Sequence, residues 1–183
     1  MTSHQSDTSC VVLIGMRGAG KTVVGRLLAK RLGRPFIDTD DVIEQRGGRT
    51  ITEIFSAEGE AGFRRREHEV IEQLDPDRPM IISVGGGAVL HPDNRARLRD
   101  LGHVVWLDAA TDVLWDRMRG DSRTSSTRPP LLSDGGKSEL DALLRERAPL
   151  YGATAELIVD TTRETPEGVA DRIVWWLTES ANA

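Results

Sequence analysis

Gly15-Met16-Arg17-Gly18-Ala19-Gly20-Lys21-Thr22 completes the phosphate-binding pattern GxxxxGK(S/T). It stands directly after an apolar run, Cys10 to Ile14, and leads into a helical pattern carried by Val23, Val24, Leu27, Leu28 and Leu32. Strand, loop and helix in that order are the context in which the pattern binds nucleotide. The glycines let backbone N–H groups curl around an anionic phosphate, and the helix that follows points its positive dipole end at the same place. Gly18, Ala19, Gly20, Lys21, Thr22 and Val23 are therefore the candidate nucleotide-binding residues. Lys21 would reach the β- and γ-phosphates, and Thr22 would offer its hydroxyl to Mg²⁺. A glycine-rich turn that binds nothing is the alternative, and four fixed positions in the right context weigh against it.

At 183 residues the chain is long enough for one proper core with a small lid, and too short for a large multidomain protein. Its single cysteine, Cys10, lies in the first apolar run, so no intrachain disulfide is possible and a reducing, cytoplasmic setting is expected. The expected role of Cys10 is that of a small buried hydrophobe. Met1 to Ser9 are polar and lack the apolar stretch of a signal peptide, and no later run is long enough to span a bilayer. A formal net charge of −5, with basic residues scattered along the chain, leaves no footprint for nucleic acid. Small molecules are the expected partners, and neither nucleic acid nor membrane is.

Five short apolar runs, Cys10 to Ile14, Pro35 to Ile37, Met80 to Val84, His103 to Leu107 and Glu156 to Val159, are the expected strands. They show little polar alternation, as buried parallel strands do. Helical patterns lie between them at 21–32, 41–46, 60–74, 92–100, 111–119, 137–150 and 166–178. This alternation predicts an α/β fold: an open five-stranded parallel sheet flanked by helices, with right-handed crossovers and ligands at the carboxyl ends of the strands. Residues 10–178 form the expected single domain, between a disordered tail at 1–9 and a short tail at 179–183. Gly120 to Gly136 departs from the packed pattern, being rich in small polar residues and carrying Arg123 and Arg128. A long polar loop of this kind is a lid or a flexible surface loop. The arginines favour a lid that brings positive charge onto a transferring phosphoryl group.

Asp38-Thr39-Asp40-Asp41 follows the second run, at the carboxyl end where such a site is built. On an extended chain Asp38 and Asp40 point the same way. Asp38 would then hold Mg²⁺ through its water shell, Asp40 would orient a substrate hydroxyl and help take its proton, and Asp41 would cap the helix starting near Val42. In Arg64-Arg65-Arg66 most of the charge is expected on a solvated face, with Arg65 in reach of Glu69 at helical spacing. Arg64 stands apart: beside Phe63 and three residues before Glu67, it can be held by that acid and offer its fork to a substrate carboxylate. Gly85-Gly86-Gly87 ends the third run, and three successive glycines imply that a ligand or another backbone comes close. Arg147 lies near the end of the penultimate helix, in Arg145-Glu146-Arg147-Ala148-Pro149-Leu150-Tyr151, where taken alone it could equally be a surface cation.

In this order the Lys21-Thr22 loop, Asp38-Thr39-Asp40, Gly59-Glu60 with Phe63-Arg64 and Glu67, the triple glycine, Arg128-Pro129 before Leu131-Leu132, and Arg147 to Tyr151 resemble the shikimate kinase family over about residues 10–178. The resemblance implies a P-loop, nucleoside-monophosphate-kinase-like fold. It also implies transfer of the ATP γ-phosphate to the 3-hydroxyl of shikimate, on the way to chorismate and the aromatic amino acids. By position, Asp40, Arg64, the Gly85, Gly86 and Gly87 turn, and Arg147 would hold the substrate, with Arg64 and Arg147 on its carboxylate and Asp40 on its ring hydroxyls. Thr22 would bind Mg²⁺ with Asp38 behind it, Arg128 from the lid would meet the nucleotide phosphates, and Arg117 and Pro166 would flank adenine. Lys21, Asp40 and Arg128 are the catalytic set so implied, ATP and Mg²⁺ the cofactors, and a monomer is expected.

The pattern departs from the family between Arg117 and Arg128, where the loop is longer than in compact members. It departs again at Pro130, which turns Arg-Pro-Leu-Leu into Arg128-Pro129-Pro130-Leu131-Leu132 and stiffens the segment. The register of Arg119 and Arg123 stays open. Within the same class a gluconate kinase, whose polyol substrate lacks a ring, is the alternative; opposing arginines favour a carboxylate without showing a cyclohexene. A GTPase-type switch would need an Asn-Lys-x-Asp motif, which is absent. A motor-type ATPase would want an acidic pair after an apolar strand, but Asp108 is followed by Ala109 and Ala110 and is expected to end its strand.

Overall fold

The computed structural model describes residues 9–120 and 136–180. β1 (Cys10–Ile14) is the middle strand of an all-parallel sheet, flanked on one side by β3 (Ile81–Ser83) and then β2 (Phe36–Asp38), and on the other by β4 (Gly102–Asp108) and then β5 (Leu157–Asp160). All five residues of β1 are fully buried, because helices cover both faces of the sheet. In register, Val12 sits between Ile82 of β3 and Val104 of β4. The chain runs first to the β2–β3 side of β1 and then crosses to the β4–β5 side, so a crevice opens at the carboxyl end of β1. The order of elements is the one expected, and Asp108 does end its strand.

Among the described residues seven α-helices flank the sheet: α1 (Lys21–Leu32), α2 (Thr39–Gly47), α3 (Ile51–Glu72), α4 (Pro92–Leu101), α5 (Thr111–Gly120), α6 (Gly136–Thr154) and α7 (Pro166–Ser180). The start of α1 differs from an ordinary helix end. Its N-cap is Gly20, at φ 95°, with no side-chain cap and no acidic residue in the first turn, so its leading N–H groups are left for an anion. By contrast α3 opens on a capping box, in which Thr50 Oγ1 accepts from the Glu53 N–H and the Glu53 carboxylate accepts from the Thr50 N–H at 2.7 Å.

Three local expectations are corrected. α3 begins at Ile51 rather than at residue 60 and breaks at Gly59, which stands at φ 68° and ψ −176°. The capping box and the spacing of Ile51, Ile54 and Phe55 carried that signal. Asp38, not Asp41, caps α2: its Oδ1 accepts from the Asp40 N–H at 3.2 Å, so Asp40 and Asp41 lie in the first helical turn and Asp38 and Asp40 do not share an extended strand. α6 continues through Pro149 to Thr154, its last turn held by the burial of Tyr151 and Thr154. Pro166 opens α7 as the pattern at 166–178 predicts, a position where its missing N–H costs nothing.

Among the described residues two hydrophobic cores result. The larger surrounds the sheet; the smaller, Ile43, Ile51, Ile54, Phe63 and Val70, joins α2 to α3. Cys10 is buried in the larger core, its thiol donating to the Arg78 carbonyl at 3.3 Å. Residues 121–135 of the expected lid, Arg123 and Arg128 among them, and residues 1–8 and 181–183 of the expected tails lie outside the described residues. No described helix is long and apolar enough to cross a membrane.

Candidate active site

The loop between β1 and α1 turns tightly because glycine occupies its crowded positions. At Gly15, φ 137°, a Cβ would run into the Leu107 carbonyl at the end of β4; at Gly18, φ 84°, it would lie 3.0 Å from the Leu114 carbonyl oxygen. Lys21 Nζ folds back over the loop and donates to the Gly15 and Met16 carbonyls at 2.8 and 2.9 Å. Thr22 Oγ1 donates to Asp38 Oδ2 at 3.0 Å, so one carboxylate both caps α2 and faces the start of α1. This pair supplies oxygen atoms only, the donors a hard cation such as Mg²⁺ takes while keeping several waters. Among the described residues no cluster of three or more His, Cys, Asp or Glu side chains offers another metal site.

Across the crevice, Arg117 of α5 donates to Thr161 Oγ1 at 3.1 Å and to the Thr161 carbonyl at 2.7 Å, while Thr161 Oγ1 donates to the Ala19 carbonyl at 3.4 Å. Buried Thr161 thus ties Arg117 to the phosphate loop. Thr161 belongs to no motif of the sequence, and its place just past the end of β5 is the one signal that marks it. Gly18, Ala19, Gly20, Lys21, Thr22, Val23, Asp38, Arg117 and Pro166 all line one cleft of about 500 Å³.

Gly86 joins this cleft to a second cluster. A Cβ on Gly86 would lie 3.3 Å from the Gly15 carbonyl oxygen and 3.5 Å from the Arg17 nitrogen, and the Gly86 carbonyl accepts the Tyr151 hydroxyl at 2.5 Å. On either side the approach is made by side chains. A Cβ on Gly85 would stand 2.6 Å from Glu67 Oε1 and 3.2 Å from Asp40 Oδ1, and one on Gly87 would run into the Arg64 guanidinium. The triple glycine is needed because three different groups press against it.

Arg64 Nη1 donates to Glu67 Oε2 at 2.7 Å, as its spacing implied. The neighbouring expectation fails: it is Arg66 that pairs, forming two bonds with Glu58 at 2.7 and 3.0 Å, rather than Arg65 with Glu69. Arg147 is buried, not a surface cation. Burial lifts the Glu67 pKa above the usual carboxylate range, against the pull of Arg64 and Arg147. Burial also pulls on Arg64, but the charges and hydrogen bonds of Glu67 and Glu60 more than reverse it and hold the guanidinium ionised. Burial pushes the Tyr151 phenol up to about 12, opposed by Arg147. Two buried atoms of the cluster, Glu67 Oε1 and Arg147 Nε, have no hydrogen-bond partner among the described residues. Asp40, Arg64, Gly85, Gly86, Gly87 and Arg147 thus gather beside the cleft, with Glu67 and Tyr151 among them, whereas Arg128 lies outside the described residues.

A family model described as shikimate kinase matches residues 17–178, almost the whole chain. The chain belongs to the shikimate kinase family. A shikimate kinase of Symbiobacterium thermophilum is 46% identical to it over 169 residues, spanning 92% of this chain and 96% of that relative. The solved structure of shikimate kinase from Acinetobacter baumannii in complex with shikimate matches with a TM-score of 0.87 at 36% identity, over 94% of each chain. A gluconokinase from Sinorhizobium meliloti matches with a TM-score of 0.59 at 21% identity, over 96% of this chain and 94% of that one, and shows the shared fold alone. Membership of the shikimate kinase family makes the chain an ATP-dependent kinase with a hydroxyl acceptor.

Proposed function

We propose that this chain transfers the γ-phosphate of ATP to the 3-hydroxyl of shikimate, giving shikimate 3-phosphate and ADP. What carries the reading is the junction at Gly86, which sets a phosphate-loop cleft against a buried arginine cluster within a single chain. The uncapped start of α1 and the glycine loop receive the nucleotide phosphates, and Lys21 exchanges its two loop carbonyls for phosphate oxygens. Val23, Arg117 and Pro166 line the part of the cleft that takes the base. Arg64 and Arg147 receive the substrate carboxylate, which a guanidinium fork matches better than an ammonium would. Asp40 accepts a hydrogen bond from the reacting hydroxyl. As the O3–P bond forms and the β–γ bridging P–O bond breaks, Asp40 takes the hydroxyl proton and the electron pair leaves with ADP.

The Thr22–Asp38 pair fits Mg²⁺, which when bound neutralises charge on the phosphates. The single buried cysteine suits a reducing cytoplasm. An assay of ADP release with shikimate, with gluconate and with no acceptor tests the reading. Release is expected with shikimate only; equal or faster release with gluconate would refute it.

A further inference from the structure

Arg64 divides its donors between two carboxylates of different character. Nη1 is committed to Glu67, which is 1% exposed and fixed within the buried cluster. The other edge of the guanidinium, Nε and Nη2, is occupied by Glu60 Oε1, at 3.3 and 3.2 Å. Glu60 is 65% exposed and directly follows Gly59, the residue at which α3 breaks, where a Cβ would meet nothing within 4 Å. Backbone of the triple-glycine turn covers the guanidinium at Gly87. A carboxylate needs two parallel N–H groups for a bidentate pair. Glu67 engages Nη1, and the parallel pair Nε and Nη2, an edge that a carboxylate matches, is the one on which Glu60 sits.

We propose that Glu60 is a built-in competitor for the carboxylate site: a displaceable side chain that occupies the Arg64 fork until a substrate carboxylate takes its place. This rests on the reading that Arg64 receives that carboxylate. The consequence is selectivity. A simple anion must displace Glu60 with nothing else to gain, whereas a ligand that also engages Asp40 and Arg147 overcomes the competition through those contacts. Glu60 acts through Arg64 and is a positioning residue, not a catalytic one.

Calorimetric titration of the whole protein with shikimate, at low and high salt, tests this in Glu60→Gln and Glu60→Ala. Both changes are on an exposed side chain. Shikimate should bind about two- to fivefold more tightly to either variant, the release of one partly exposed ion pair. The gain should shrink as salt screens the pair. Acetate and benzoate should become better competitive inhibitors by a similar factor, while the carboxamide analogue of shikimate should show no gain. Unchanged or weaker shikimate binding in both variants, or an equal gain for the carboxamide, would overturn the proposal. Arg64→Ala separates the two layers. If it binds shikimate as tightly as the wild type, the assignment of Arg64 to the carboxylate fails, and the proposal with it; if it loses affinity while the Glu60 variants gain none, the proposal alone fails.

Discussion

Replacing Gly87 by alanine would test the carboxylate pocket through its backbone rather than through its charges. Gly87 stands at φ −98° and ψ 0°, which alanine adopts without strain, so the added methyl is the whole perturbation. Its Cβ would run into Cζ, Nη1 and Nη2 of Arg64, well inside contact distance. A guanidinium at the end of a long side chain yields where a backbone cannot, so the fork is displaced and the loop stays. The displaced fork no longer presents a bidentate edge to the substrate. A charge-assisted pair is worth about 1.5–3 kcal/mol, so shikimate affinity should fall roughly ten- to a hundredfold.

Stability should fall as well, because Glu67, 1% exposed, loses the guanidinium now 2.7 Å away. A buried carboxylate that stays ionised without its partner costs about 3–5 kcal/mol. Burial already raises the Glu67 pKa, so protonation offers an escape, and the cost should settle on the order of 1–3 kcal/mol. The sign of the pH dependence follows. A carboxyl group whose folded pKa lies above its unfolded value favours folding in acid, and that stability is lost as pH rises through the folded value. Losing Arg64 raises the folded value further, so the gap between variant and wild type should widen as pH rises and narrow in acid. Calorimetric titration with shikimate and thermal denaturation across pH give both readouts. Nucleotide affinity should barely change, since the phosphate loop touches Gly86 and not Gly87. A folded variant with wild-type affinity for shikimate would refute the placement of the carboxylate on Arg64.

Lys21→Met should lower kcat by at least roughly a hundredfold at saturating ATP, because it removes a charge positioned for the phosphates; wild-type turnover in a clean preparation would show that the loop is not catalytic. Asp38→Asn keeps an adequate cap for α2 but removes the charge beside Thr22, so half-saturating Mg²⁺ should rise roughly tenfold or more while stability changes by less than about 1 kcal/mol. An unchanged Mg²⁺ requirement in activity titrations would remove Asp38 from the metal. Tyr151 is the only tyrosine, so tyrosinate absorbance reads it alone: the folded protein should titrate near 12 and the unfolded chain near 10.0. The associated stability, on the order of 3 kcal/mol, is complete below pH 10.0 and lost as pH rises toward 12.

Much of this architecture is legible because its signals are local. The GxxxxGK(S/T) loop carries strand, turn and helix within a few residues, and five apolar runs spaced by helical patterns leave a parallel sheet as the natural outcome. Arg64 and Glu67 were legible as a pair because helical spacing places them together. Burial of Arg147 was not, since nothing local distinguishes it from Arg145; it is set by packing against Glu67 and Tyr151. Capping by Asp38 is not legible locally because three of four successive residues are aspartates, all competent caps, and Asp38 is the one that also meets Thr22 on another helix. The first half of α3 is legible in its capping box at Thr50 and Glu53, although the glycine at 59 interrupts the helical pattern.

The substrate cluster lies where the two cores meet. Asp40 is on α2 and Arg64 and Glu67 on α3, whose Phe63 and Val70 pack in the smaller core and whose Ile71 packs in the larger. Arg147, Tyr151 and the triple glycine belong to the sheet side. Buried charge at such a seam is poor structural material: replacing a buried ion pair by well-packed apolar residues is often neutral or stabilising. Here Glu67 Oε1 and Arg147 Nε are buried without partners among the described residues, which costs roughly 1–3 kcal/mol each. A ligand bearing a carboxylate and several hydroxyls has the complementary groups, an acceptor for Arg147 and a donor for Glu67. On this account the deficit is local to the cluster and is cancelled only by the right occupant. An apolar group of the same size would leave both atoms unpartnered, and an anion without hydroxyls would satisfy only one, so the polar atoms left over by folding are the ones that select the substrate.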